Sequence, residues 1–296
     1  MTMVLTAMTD NHIFVVSDRR MTDGRTHRTL SSTENKAVVL DNQMILTYTG
    51  FCNLEDLPTD AWVAEVLVNE PVENWIRILL NRVGPAVRKI KVDPRKRRHA
   101  FLLTGYAKMP KGRHAYRPVG FLISNFHGPD GSILSQPEPK FWLSLLRLGN
   151  WKVRVDSIRG EVDLSNHRRV VLEKAIRRQL RATPDRPQRV LDILGEEVRN
   201  VARKDASVGP DLMAVSFPLT AIGSGLHMAI DPTAVDWRTE LITFYADINS
   251  TPVSYGPTYV RPGMQMIGMV VSHSIDSSQP SHRIFANFRQ KGTSPN

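Results

Sequence analysis

Four residues near the start of the chain have the groups that hydrolysis by an N-terminal nucleophile requires: Thr2, Asp18, Lys36 and Gly50. If Met1 is removed, which a small second residue should permit, Thr2 carries both a nucleophilic hydroxyl and a free α-amino group. An α-amino group has a pKa of about 7.7–8.0, so a good fraction is neutral near pH 7 and can accept the hydroxyl proton. A nearby lysine would lower that pKa, an aspartate would hold the lysine, and a glycine N–H could bind an oxyanion.

The first hairpin is expected to bring two of these residues together. An apolar strand at residues 3–8 is followed by Asp10 and Asn11 and then by a second apolar strand. In a two-residue turn, positions whose numbers sum to 21 face each other, so Thr2 should lie beside Arg19 and within one residue of Asp18.

A second hairpin is expected to bring in the other two residues. Strands at 35–40 and 43–50 are separated by Asp41 and Asn42, and the same turn arithmetic pairs Lys36 near Thr47. Gly50 then emerges just past the same end of the hairpin. The two hairpins therefore end in threonine, aspartate, lysine and glycine.

Residues 2–55 resemble the start of a proteasome-type peptidase β subunit, one of the N-terminal nucleophile (Ntn) hydrolases. Aligning Asp18, Arg20, Thr22 and Gly24 on the family motif puts the catalytic threonine on Thr2 without a gap. The resemblance covers the strand after Thr2, the segment Asp18-Arg19-Arg20-Met21-Thr22-x-Gly24, Lys36 with the strand ending at Asp41, and the turn Thr47-Tyr48-Thr49-Gly50.

The resemblance implies a role for each of the four residues. Thr2 would be the nucleophile and, through its amine, the base. Asp18 and Lys36 would tune that amine, and the amide of Gly50 would form the oxyanion hole. No cofactor is implied.

The resemblance also implies how a substrate would bind. Thr22 and Gly50 would hold its backbone by strand-like hydrogen bonds. Met21, Tyr48 and Cys52 fall where the family lines the pocket for the residue preceding the cleaved bond. Such a pocket would be apolar, so a hydrophobic residue is expected there.

Two segments depart from the family pattern. The family's Asp-x-x-Ser-Gly turn, which orients the amine and the nucleophile, is matched by Asp205, but Ser207 is one place early and Val208 occupies the expected position. The family's Ser-Gly turn before the second helix pair corresponds to residues 157–160, where Arg159 stands in place of the serine. The sequence Gly-Ser-Gly does occur at residues 223–225, but it follows the Asp205 segment, whereas the family's Ser-Gly turn precedes it. We therefore interpret residues 223–225 as a loop.

The order of elements predicts an α+β fold, a four-layer αββα sandwich of the Ntn hydrolase type. We expect one Ntn hydrolase domain at 2–245 and a strand-rich C-terminal extension with a mobile tail at 246–296. Thr59 or Asp60 is expected to cap the first helix. Helices are expected at 61–68, from Pro71 onward, at 165–181 and at 189–203, and later strands at 100–106, 119–125, 152–155, 212–217, 241–246 and 264–271.

Composition narrows the class of protein. The chain has 296 residues, with 39 Lys and Arg against 29 Asp and Glu, a formal net charge of +10. A single cysteine, Cys52, excludes an internal disulfide and fits a reducing cytoplasm.

No apolar run approaches the roughly 20 residues of a membrane span, so no membrane association is expected. The nine histidines are scattered without cysteine partners, and no metal site is predicted.

Two functions remain open at this stage. The first is a threonine-type hydrolase that acts on a peptide, protein or other amide, and the family suggests a homo-oligomer. The alternative is a catalytically inactive proteasome-like scaffold that binds a nucleic acid or acidic partner through a basic surface at residues 88–117. Residues 88–98 carry seven basic residues and one acid, although a solvated helix end would give the same pattern.

Overall fold

The structure is a computed structural model of the chain. It describes residues 2–22, 28–31, 34–108, 116–147, 153–159, 164–183, 189–219, 243–247, 253–255, 257–266, 270–273 and 282–285. The described residues form several sheets and four α-helices, a mixed composition that is compatible with the expected α+β class.

The strands follow one another along the whole chain. In chain order they are β1 (Met3–Thr9), β2 (His12–Asp18), β3 (Met21–Thr22), β4 (Thr29–Ser31), β5 (Ala37–Leu40), β6 (Met44–Thr49), β7 (Asn53–Leu54), β8 (Leu57–Pro58), β9 (Ala100–Lys108), β10 (Tyr116–Ser124), β11 (Trp142–Arg147), β12 (Val153–Arg159), β13 (Leu212–Pro218), β14 (Thr243–Asp247), β15 (Val253–Tyr255), β16 (Thr258–Arg261), β17 (Met264–Met266), β18 (Val270–His273) and β19 (His282–Phe285).

The helices come in two pairs. They are α1 (Thr59–Leu67), α2 (Trp75–Lys89), α3 (Asn166–Ala182) and α4 (Arg189–Ala202), with short 3-10 helices at Val72–Asn74 and Pro94–Lys96. All four lie within a few residues of their expected positions.

A five-stranded sheet contains the first hairpin, in the order β12-β1-β2-β13-β14. Val4 pairs with Ser17 and Ala7 with Phe14, so facing residues sum to 21 as a two-residue turn requires. Both β1 and β2 are almost wholly buried, since alternate residues along each strand pack on opposite faces of this sheet. The register expected for the first hairpin is therefore confirmed.

A seven-stranded sheet contains the second hairpin, in the order β11-β10-β9-β6-β5-β16-β17. Here Ala37 pairs with Thr47 and Leu40 with Met44, one residue away from the expected register. The reason is a three-residue connection, in which Asp41 and Asn42 take left-handed backbone angles, φ 46° and 50°. The start of β5 and the end of β6 still meet.

Three clusters of buried residues form the core. The central cluster draws on both large sheets, the α1–α2 cluster combines the first helix pair with the seven-stranded sheet, and the α3–α4 cluster combines the second helix pair with the five-stranded sheet. Representative members are Val4, Val15, Ile45, Leu102 and Met213 in the central cluster, Leu46, Trp62, Leu79 and Phe101 in the α1–α2 cluster, and Leu5, Phe14, Ile176 and Leu194 in the α3–α4 cluster.

The expected cap of α1 was wrong. Pro58 occupies the N-cap position and makes no side-chain capping bond. The Thr59 hydroxyl instead donates to the Phe51 carbonyl at 2.9 Å, and the Asp60 carboxylate accepts bonds from buried side chains. Tertiary partners therefore replace the local capping bond at this helix start.

Strand β11 was not expected from the sequence. Its Leu143 and Leu145 are exposed, 41% and 45%, whereas Ser144 between them is buried. The buried serine donates to the Gly128 carbonyl at 3.1 Å. The alternation is thus the reverse of an ordinary half-buried strand, which is why the pattern gave no signal.

Strand β16 lies in the expected C-terminal extension, yet it pairs in parallel with β5 in the large sheet. Asp60 accepts from the Thr258 hydroxyl at 2.7 Å and from Asn35 Nδ2 at 3.0 Å, with all three side chains buried. The boundary at residue 245 stays a prediction. The tail at 286–296 lies outside the described residues.

We expect Asp60→Asn to change how stability depends on pH. Burial raises the pKa of Asp60 above its ordinary value. The folded state therefore holds this proton more tightly than the unfolded state, and stability is lost as pH rises from about 3.9 through the folded pKa. The free energy of unfolding of the wild type minus that of Asp60→Asn should thus fall with rising pH in denaturant titrations.

The exposed Asp192 supplies the control. Asp192→Asn should give a much smaller pH-dependent difference from the wild type. A difference for Asp60→Asn that is constant or grows with pH would contradict the argument.

Candidate active site

The Asp18 carboxylate, at the end of β2, is the centre of the site and is fully buried. Its Oδ1 accepts from the backbone N–H of Met3 at 2.8 Å and from Lys36 Nζ at 3.2 Å. Its Oδ2 accepts from the backbone N–H groups of Arg20 and Gly209, each at 3.1 Å. Four donors from four segments therefore hold one buried carboxylate.

Lys36 lies just before β5 and is also fully buried. Besides its ion pair with Asp18, its Nζ donates to the Arg20 carbonyl at 2.6 Å. A buried ammonium requires such a counter-charge and acceptors, because the cost of removing it from water is several kcal/mol. The pair therefore places a positive charge at a fixed point beside the start of β1.

Thr2 lies at that start and is 4% exposed. The peptide that joins it to Met3 faces Asp18, through the Met3 N–H described above. On its other side, Thr49 Oγ1 donates to the Thr2 carbonyl at 3.4 Å. Thr2 is therefore between the Asp18–Lys36 pair and the end of β6.

Gly50 follows β6 in a conformation that favours glycine, with φ of 112°. A Cβ placed here would lie 2.4 Å from the Arg98 carbonyl oxygen and 2.9 Å from His99 Nδ1. Both the backbone angle and the close approach therefore require glycine at this position. The turn that begins at Gly50 is packed directly against the segment before β9.

Asp205 and Ser207 form a tight turn after α4. Asp205 Oδ1 accepts from the Ser207 hydroxyl at 2.5 Å and from the Ser207 N–H at 2.8 Å. Arg20 Nη1 donates to the carbonyls of Ala206 and Val208, at 2.7 and 3.2 Å. This loop is attached to the Asp18 site through Arg20 and, two residues beyond Ser207, through the Gly209 N–H.

The residues expected to bind a substrate lie on two segments. Met21 and Thr22 form the half-buried strand β3. Tyr48 is buried in the α1–α2 cluster, where its hydroxyl donates to the Asn35 carbonyl at 2.8 Å. Cys52 is half-buried, and burial raises the pKa of its thiol to about 11. Their roles in binding stay predictions.

The second departure from the family motif falls at the end of β12. The Ser157 hydroxyl accepts from the Leu164 N–H at 3.1 Å, and Arg159 is paired with Met3 across the sheet. The backbone of Arg159 thus lies next to the start of β1. Gly24, Gly160 and the Gly-Ser-Gly at 223–225 lie outside the described residues.

No protein-family model matches the chain, and a search of curated proteins found no significant match. Among the described residues, no group of three or more His, Cys, Asp or Glu side chains could hold a metal ion. No described helix is long and apolar enough to cross a membrane.

The Gly209 N–H, a donor to Asp18, was not singled out from the sequence, and Arg20 was used there only to align the family motif. A Cβ at Gly209 would lie 2.7 Å from the Cβ of Arg20, so only glycine brings this loop close enough to reach Asp18. The Gly-Pro pair at 209–210 signals a turn, but nothing local indicates its target.

The basic stretch makes several contacts within the chain. Lys89 pairs with Glu55 at 2.5 Å, and Arg97 Nε donates to the Val92 carbonyl at 2.8 Å. Arg98 donates to the Ser135 carbonyl at 3.0 Å and lies over the ring of Phe126. Residues 109–115 lie outside the described part. These contacts fit a structural use of the stretch, and an acidic partner stays a prediction.

We expect Lys36→Met to lower the free energy of unfolding by about 3–5 kcal/mol, because it leaves the buried Asp18 charge without its partner. The double variant Asp18→Asn/Lys36→Met should lose less than the sum of the two single variants. Denaturant titrations of the four proteins measure this coupling.

Lys89→Met removes an exposed ion pair, in which Lys89 is 69% exposed, and is the matched control. It should cost less than about 1 kcal/mol. If Lys36→Met costs no more than Lys89→Met, the buried pair does not hold the site together as argued.

Proposed function

We propose that the protein is a threonine-type N-terminal nucleophile hydrolase that cleaves peptide or other amide bonds. The observation that carries this proposal is the buried Asp18–Lys36 ion pair beside the start of β1, where Thr2 lies. An ammonium at that point serves chemistry on an N-terminal amine, because it favours the neutral, proton-accepting form.

The reaction begins once Met1 has been removed. The Thr2 amine accepts the proton of the Thr2 hydroxyl, directly or through one water, while Oγ bonds to the carbonyl carbon of the substrate. The carbonyl π electrons move to oxygen, and the Gly50 N–H stabilises that oxyanion. As the carbon–nitrogen bond breaks, the leaving nitrogen takes the proton, and an ester to Thr2 remains.

Water then resolves the ester. The Thr2 amine accepts a proton from the water, the resulting hydroxide equivalent adds to the ester carbonyl, and Oγ leaves with that proton. Lys36 stays charged throughout and keeps the pKa of the amine low by repulsion between like charges. Asp18 holds Lys36 in place, so its contribution is to the position of the charge.

The packing supports the proposal for the fold as a four-layer αββα sandwich. The central cluster contains residues of both large sheets, and each helix pair shares a separate cluster with one sheet. A four-layer sandwich, in which two sheets pack face to face and each carries a helix pair on its outer face, would produce this division. In the proposal this sandwich is the architecture that presents Thr2 at the end of a sheet.

The remaining roles follow from the resemblance. The Asp205–Ser207 turn would help to orient the Thr2 amine, Thr22 and Gly50 would hold a substrate backbone, and the pocket would be formed with Met21, Tyr48 and Cys52. Such a site suits a peptide or protein substrate with an apolar residue before the cleaved bond. A homo-oligomer in the cytoplasm belongs to the same proposal.

We expect the purified protein to begin at Thr2 and to form a one-to-one covalent adduct with a peptide electrophile. Intact mass before and after incubation measures both events. Thr2→Ala should abolish the adduct and the hydrolysis of peptide substrates, since it removes the nucleophile. Thr2→Ser, which keeps a hydroxyl and an amine, should retain measurable labelling.

Retention of Met1, or a free Thr2 that never reacts, would contradict the proposal. Hydrolysis that is unchanged in Thr2→Ala would contradict it as well. Binding to heparin or DNA that is lost when Arg95, Lys96, Arg97 and Arg98 are neutralised would then favour the scaffold alternative.

A further inference from the structure

A buried histidine lies directly behind the turn that begins at Gly50. His99 precedes β9 and is fully buried. Its ring stacks with those of Tyr48 and Phe51, each 6.2 Å away between centroids, and meets the ring of Phe101 edge-on at 4.8 Å. The imidazole is therefore held in one plane by aromatic neighbours on several sides.

The ring contributes one hydrogen bond to the site. His99 Nδ1 accepts from the backbone N–H of Phe51 at 3.2 Å. An accepting Nδ1 carries no proton, so the neutral ring has its proton on Nε2. Burial lowers the pKa of His99 to about 3, which keeps the ring neutral at physiological pH.

The backbone of His99 is also fixed. Its N–H donates to Asn125 Oδ1 at 2.9 Å, and its carbonyl accepts from the Asn125 N–H at 3.3 Å. Asn125 Nδ2 in turn donates to the Arg97 carbonyl at 2.6 Å. A ring anchored in this way is a rigid surface against which another segment can be positioned.

That segment is the turn at Gly50. A Cβ on Gly50 would lie 2.9 Å from both Cα and Nδ1 of His99, so the turn is in close contact with the ring. One residue earlier, Thr49 contacts the carbonyl of Thr2. The Phe51 N–H bonded to His99 is thus one peptide unit away from the Gly50 N–H, which is the oxyanion donor of the proposed reaction.

The second ring nitrogen, Nε2, indicates that a histidine is present here for the hydrogen bond that Nδ1 accepts. Within the described residues, His99 Nε2 is buried without a hydrogen-bond partner. A buried donor without a partner is costly, and an apolar ring of similar shape would avoid that cost. A phenylalanine would make the same stacking contacts, but it would leave the Phe51 N–H without an acceptor.

We propose that His99 is a positioning residue for the oxyanion hole: its Nδ1 fixes the peptide between Gly50 and Phe51 and so sets the direction of the Gly50 N–H. This inference rests on the proposed function. It adds His99 to the proposed site, although His99 lies 97 positions from Thr2 in the sequence (99 − 2). His99 itself touches neither the substrate nor the reacting atoms.

The test compares two electrophiles on the full chain. A peptide aldehyde bonds to Thr2 Oγ through its carbonyl carbon, the hydroxyl proton passes to the Thr2 amine, and the carbonyl oxygen becomes the oxyanion. A peptide vinyl sulfone bonds to Oγ through the vinyl carbon attached to the peptide, β to the sulfone, and the hydroxyl proton passes through the Thr2 amine to the vinyl carbon next to the sulfur. Only the aldehyde adduct needs the oxyanion hole, whereas both need an activated Thr2.

His99→Phe keeps the aromatic packing and removes the acceptor. We expect its affinity for the aldehyde, and its kcat for a peptide substrate, to fall on the order of 10- to 100-fold. The rate of labelling by the vinyl sulfone should fall far less. His99→Asn, which offers an amide oxygen near the position of Nδ1, should recover part of the loss for the aldehyde.

Each result has a distinct meaning. Equal losses for both electrophiles in His99→Phe would show general damage to the fold and would overturn the inference. An unchanged affinity for the aldehyde would overturn it while leaving the proposed function intact. A wild-type protein that reacts with neither electrophile would overturn both.

Nitrogen NMR of ¹⁵N-histidine-labelled wild type gives a second readout that does not depend on a folded variant. We expect the His99 ring to be neutral, protonated on Nε2 and without titration between about pH 5 and pH 8. Protonation on Nδ1, or titration in that range, would overturn the inference.

Discussion

The structure depends on the need to satisfy one buried ion pair. Asp18 and Lys36 are both fully removed from solvent, and charges in that position are tolerated only with close partners. The remaining carboxylate positions are filled by backbone N–H groups of Met3, Arg20 and Gly209. The same bonds that make the pair tolerable fix the start of β1, the end of β2, the approach to β5 and the loop after α4.

A second buried polar group extends this constraint toward the C-terminal part of the chain. Asn35 immediately precedes Lys36, and its amide donates to Asp60 of α1 and to Thr258 of β16. Its carbonyl accepts from Tyr48. The residue next to the lysine is therefore held by a helix and by a strand far along the sequence.

The local part of this arrangement could be predicted from the sequence. The Asp10-Asn11 turn determined the register of the first hairpin, and apolar periodicity located the two helix pairs. The other half comes from contacts that no local pattern encodes. Gly209 reaches Asp18 across 191 residues, and Asn35 reaches Thr258 across 223. Strand β11 was missed for a related reason. Its serine is buried because it bonds to the Gly128 carbonyl in a loop, so the strand lacks the usual alternation of buried apolar and exposed polar residues.

Three locally costly features of the described structure lie near Thr2 and Gly50. A buried ion pair can often be replaced by apolar side chains with no loss of stability, or with a gain of about 1–4 kcal/mol. His99 adds a buried nitrogen without a partner, and Gly50 adds a backbone angle that other residues rarely adopt. The ion pair also holds four segments together, but apolar side chains could do the same at a lower cost. Local costs of this kind are typical of sites where chemistry takes precedence over stability, which is the physical reason to favour a hydrolase over the inactive alternative.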